Sequence, residues 1–134
     1  MATSNTAAQF RLDLMDALET EVEDVVIAVT QKIALEALNK VVMRSPVDTG
    51  RFRANWNVSF GSPDLMITEN KDKPGQETIA KGGSLIGSLD RLNQIWISNN
   101  LPYANRLENG WSKQAPAGMV ALTFAELSTI ARIE

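Results

Sequence analysis

Cysteine and histidine are both absent from the 134 residues. Without cysteine there is no disulfide framework, no thiol nucleophile and no thiolate ligand for zinc or an iron–sulfur cluster. Without histidine there is no Ser–His or Cys–His catalysis and no imidazole metal ligand. What remains open is a site built from carboxylates: an Mg²⁺ or Ca²⁺ site, or a hydrolase with two acids. Positive charge is also scarce. Thirteen Lys and Arg face sixteen Asp and Glu, for a formal charge of −3. Broad binding to nucleic acid needs clustered cations to displace phosphate counterions, and that balance argues against it. No apolar run approaches the ~20 residues that span a bilayer. The first nine residues, MATSNTAAQ, lack the basic and apolar regions of a signal peptide. The expectation is a protein that folds in a cytoplasm and makes no membrane contact.

The composition that is present, 44% hydrophobic and 22% charged, is that of an ordinary globular domain. Residues 1–9 read as a flexible arm and 10–134 as a single domain. From Phe10 to Met43 apolar residues recur every three or four positions (Leu14, Leu18, Val22, Val25, Val29, Ile33), which predicts a long helix. Its first half is acidic, from Asp13 to Asp24, and reads as a solvated face. A second stripe, Ala28, Leu35, Leu38 and Val42, makes the helix more apolar than a small domain needs, so part of it is expected to meet another subunit. Ser45-Pro46 ends the helix and Asp48-Thr49-Gly50 forms a turn.

Alternation of Phe52, Ala54, Trp56, Val58 and Phe60 with polar residues predicts a strand over 52–60. Leu65-Met66-Ile67 could form a short strand, and Glu69 to Glu77, with Pro74-Gly75, reads as an exposed loop. A second strand is expected at 95–98, paired with the first. A middle helix is expected between Thr78 and Asn93, a helical turn at Tyr103–Leu107 closed by Gly110, and a last helix ending near Ile133. The fold class is therefore α+β: a long N-terminal helix on a small antiparallel sheet, with a shorter middle helix and a C-terminal helix.

Four constellations bear on chemistry. Gly82-Gly83-Ser84-Leu85-Ile86-Gly87 lacks the preceding strand and the Gly-Lys-Ser/Thr of a phosphate loop. Glu108, among Tyr103, Asn109 and Trp111, could belong to a muramidase-like carboxylate pair, but no second acid stands out by spacing. Ser112 beside Lys113 shows neither placement nor desolvation of the lysine. Arg44, Arg51 and Arg53 make a basic cluster with no aromatic on its face, and are expected to pair with acids of the long helix or of a neighbouring subunit. No catalytic residue, metal ligand or cofactor is assigned.

Two segments carry a family resemblance. Ser45-Pro46-Val47-Asp48-Thr49-Gly50-Arg51-Phe52-Arg53-Ala54-Asn55-Trp56 resembles the "sPvdTGrlraNw" block of neck or tail-completion proteins of long-tailed phages. Ile95 to Val120, IWISNNLPYANRLENGWSKQAPAGMV, is similar to the second block of that family. The matched positions are Pro46, Asp48, Thr49, Gly50 and Trp56, then Tyr103, Glu108, Gly110, Trp111, Gln114, Pro116 and Gly118. The resemblance implies structural or interface roles for all of them. It also implies a virion protein of the head–tail joint, assembled in the host cytoplasm and without enzymatic activity. Expected partners are further copies in a sixfold or twelvefold ring, and adjacent connector, head-closure, tail-terminator or tail-tube proteins. DNA would pass through the lumen without specific binding. The alternative is a small phage-encoded hydrolase using paired carboxylates.

Overall fold

The computed structural model describes residues 7–133 apart from Trp111 and Pro116. Helix α1 (Ala7–Arg44) runs unbroken for 38 residues. A single turn, α2 (Arg51–Ala54), leads into strand β1 (Trp56–Phe60). Helix α3 (Gln76–Gly87), strand β2 (Ile95–Asn99), the short helix α4 (Ala104–Glu108) and helix α5 (Val120–Ile133) follow. The α+β expectation holds, as do the long first helix and the antiparallel strand pair.

The two strands pair from Trp56 opposite Asn99 to Phe60 opposite Ile95. Directly opposed residues share a face of the sheet. Val58, Ile97 and Ile95 therefore lie on the side of Trp56, and Asn57, Ser98 and Trp96 on the other. The core gathers Leu38, Val41 and Val42 of α1, Phe52, Trp56 and Val58, Ile86 of α3, and Leu101 and Met119. Phe52 meets Trp56 edge-on at 6.0 Å between ring centroids. Phe60 is only half-buried, so α1 covers Trp56 but leaves Phe60 at the rim.

Three local expectations are corrected. The strand expected over 52–60 begins only at Trp56, because its first part forms α2. Phe52 and Trp56 are four residues apart, so one helical turn also brings both to the core, and period-two alternation could not distinguish the cases. Gly50 decides it: at φ +91° its carbonyl accepts the Ala54 amide at 3.1 Å and closes the turn. A Cβ there would lie 2.5 Å from the Lys73 nitrogen, so the position requires glycine. Second, the arginines do not pair with acids of α1. Arg44 and Lys40 hold Glu126 of α5, Arg51 holds Glu69 at 2.8 Å, and Arg53 donates to the carbonyls of Ser45, Lys73 and Met43. Third, residues 65–67 form no strand. Asn55 and Asn57 bind the backbone of Asp64, Met66 and Thr68 instead, so side chains replace a ladder along this segment.

Ile27 is the first buried residue of α1; every described side chain from Arg11 to Val26 is exposed. The helix is locked to the body just beyond, where the Gln31 amide donates to the carbonyl of Ile86 at 3.1 Å, with those of Gly87 and Leu89 within reach. Residues 7–26 therefore form a rod with its described side chains exposed, ~30 Å long at 1.5 Å per residue, with Leu92 beside Leu18, Val22 and Val26. The helix begins at Ala7, ahead of the expected Phe10; residues 1–6 of the expected arm lie outside the described residues. Among the described residues, no helix is long and apolar enough to cross a membrane.

Candidate functional site

Hydrogen bonds and a ring contact join described residues of the two motif blocks. Ser45, one residue past α1, donates its hydroxyl to the Val41 carbonyl and accepts the Trp56 indole N–H at 2.8 Å. Both partners are buried, so the indole is satisfied without water. Pro46 follows, half-buried, and leads to the Asp48–Gly50 turn. Thr49 closes that turn: its hydroxyl oxygen accepts the Arg51 amide at 3.2 Å. Asp48 is exposed.

Gln114 ties the second block to the first. Its side-chain amide donates to the Val47 carbonyl at 3.1 Å and accepts the Val47 N–H at 2.8 Å. This two-point clamp spans 67 residues of sequence. Tyr103 stacks at 5.8 Å on Phe52 and stays partly exposed. Gly110 has φ +85° and ends α4, with its amide on the Leu107 carbonyl. Trp111 and Pro116 lie outside the described residues.

Glu108 lies at the N-terminus of α5. One carboxylate oxygen accepts the amides of Met119 and Val120 at 2.9 and 2.8 Å, and the other that of Ala121 at 3.0 Å. Three of the four amides that a helix start leaves unpaired are thus answered by one side chain. Partial burial by itself would raise the Glu108 carboxyl. The hydrogen bonds from Ala121, Val120 and Met119 outweigh it and hold the group below its ordinary value. Gly118, at φ +78°, fits closely under this carboxylate, where a Cβ would collide with Glu108. Chemically this is an ionised cap. A general acid needs the opposite, a carboxyl kept protonated by its surroundings.

Sequence reasoning missed a second such cap. Asp72 is buried in a stretch read as an exposed loop. One of its oxygens accepts the Gly75 amide, and the other takes the amide and hydroxyl of Thr78 at 2.8 Å, fastening the start of α3. An Asp ahead of Pro74-Gly75 and a Thr at the third helical position was the available signal. Among the described residues no group of three or more acids is arranged to hold a metal ion.

Among the described residues, two of the exposed apolar surfaces involve α1. Along the rod and its continuation, Met15, Leu18, Val22, Val25 and Val29 are 51–62% exposed and follow one another at alternating spacings of three and four. The other is a trough between Thr30, Ile33 and Ala37 of α1 and residues 93–97; Leu92 lines a separate hollow with Leu18, Val22 and Val26. Ile33, Leu92 and Trp96 are exposed.

The family described as "Bacteriophage HK97-gp10, putative tail-component" has a model that matches residues 8–110. The match takes in the rod, both strands and α4. No curated protein and no solved structure matches the chain.

Proposed function

Because the chain belongs to the HK97-gp10-like family of phage tail components, we propose that it is a structural virion protein of the head–tail joint, acting by protein–protein contact. It works as a neck or tail-completion subunit in a ring of six or twelve copies. Its neighbours are connector, head-closure, tail-terminator or tail-tube proteins. DNA passes through the ring without specific binding, in keeping with the net negative charge.

The observation that carries this reading is the uncovered apolar rod. A monomeric domain seldom leaves five large side chains of one helical seam more than half exposed. The same side chains make an ordinary core once a second protein covers them. The motif residues also support the reading. Ser45, Trp56, Gln114 and Glu108 are each engaged by backbone or by one another, as they are in a scaffold. The hydrolase alternative finds no support in Glu108, whose carboxylate is committed to α5.

The test is electron microscopy of particles from a phage that lacks this gene. Filled heads beside separate or unfinished tails are the expected result. Normally joined, infectious virions in its absence would overturn the reading.

A further inference from the structure

Charge is unevenly divided along the chain. Residues 7–31 hold six carboxylates (Asp13, Asp16, Glu19, Glu21, Glu23 and Asp24) against Arg11 alone. Residues 32–133 hold twelve basic and nine acidic residues. The rod is thus strongly negative and the body positive. That division selects the partner of the apolar seam. Its spacing, Met15, Leu18, Val22, Val25 and Val29, is that of a coiled coil, and two rods could in principle zip together. Glu19 and Glu21 would then flank the seam on both helices, and each rod would bring its excess of carboxylate against the other. A rod laid on the body of another copy meets a part of the chain whose charge sums to positive instead.

We propose that the rod of one copy docks by its seam in the trough of the next, between α1 at Ile33 and Ala37 and the outer edge of β2. This rests on the reading that the protein works in multiple copies, and names the surfaces that join them. The trough is apolar and none of the residues that line it is charged, so it does not itself repel an acidic helix. No charged residue occurs from Asn93 to Leu101. Strand edges that must stay free are usually guarded by charge or proline, and β2 has neither. The chain's own segment 64–68 is fastened over the opposite face of the sheet, by Asn55 and Asn57 on one side and by Ser98 and Asn100 on the other. Rod and trough are different patches on the same chain. Their contact is head-to-tail, the type that closes into rings.

The geometry can be tested by mixing two variants of the full chain. Leu18→Asn with Val25→Asn spoils the rod, and Ile33→Asn with Trp96→Ser spoils the trough. All four side chains are exposed, so each variant is expected to melt near the wild type, which circular dichroism checks. In sedimentation or light scattering the wild type forms oligomers. Each variant alone is a monomer. An equimolar mixture forms a 1:1 heterodimer and nothing larger, since one intact rod meets one intact trough. Rod–rod pairing would leave the trough variant fully oligomeric, and β2–β2 pairing would leave the rod variant so; either result overturns the proposal. Oligomers that survive in both variants overturn the docking geometry while leaving the multi-copy reading intact. A wild type that stays monomeric at all concentrations overturns both.

Discussion

Glu108 ends α4 and caps the helix that starts at Val120. Its neighbours suggested a sugar cleft, yet its carboxylate is occupied by three amides at the start of α5. Glu108→Gln keeps one acceptor oxygen and removes the charge. We expect it to fold and to lose about 1 kcal/mol of stability at pH 7, the usual scale for a cap with a favourable dipole term. The sign with pH follows from the lowered native value. The ionised cap stabilises fully above the ordinary carboxyl value of 4.5, and the contribution fades as pH falls through the lower native one. Denaturant midpoints of wild type and Glu108→Gln should therefore differ at pH 7 and converge as the solution is acidified. Glu126, held below its ordinary value by Lys40 and Arg44, makes both proteins acid-sensitive, and the difference between them isolates Glu108. A gap that persists unchanged at the lowest workable pH would mean that shape, not charge, is what Gln fails to supply.

At the scale of elements, α1 is two objects in one helix. From Ile27 onward it is held by the core and by Gln31; before Ile27 every described side chain is exposed. Isolated helices of this length are marginal in water. In a dilute monomer, amide hydrogens from about residue 7 to 26 should exchange far faster than those of 34–42. On assembly the fast segment should become protected, which mass spectrometry of peptic fragments can follow. Equal protection of both halves in the monomer would contradict the division. This asymmetry was only partly legible beforehand. The three-and-four spacing gave the helix, and its excess of apolar residues hinted at a second partner. Where cover ends was hidden, because it depends on α3 and the Gln31 contacts 55 residues away in sequence. Long-range side-chain bonds explain the other gaps. The Asn55 anchor to Thr68 and the Gln114 clamp to Val47 join segments that no local pattern connects. The Phe52–Phe60 stretch failed for a different reason: its alternation suited a strand and a helical turn equally, and only the Gly50 geometry separates them.

For the whole molecule, the opposed charges of rod and body predict how assembly responds to salt. Attraction between them acts across partly solvated surfaces, where the screening length falls from about 10 Å at 0.1 M to about 3 Å at 1 M. Burial of the seam and trough is apolar and does not weaken over this range. The self-association constant should therefore drop on that change, on the order of tenfold, which is ~1.4 kcal/mol, and should then level off. The sign separates the candidate assemblies. If like-charged rods met one another, screening would relieve their repulsion and association would strengthen with salt. If the interface were apolar and charge-indifferent, salt would leave it unchanged or tighten it slightly. Sedimentation equilibrium across a chloride series measures the trend. A rise in affinity with salt would reject the rod-on-body geometry. A fall to a plateau would show that charge orients the copies and apolar burial holds them.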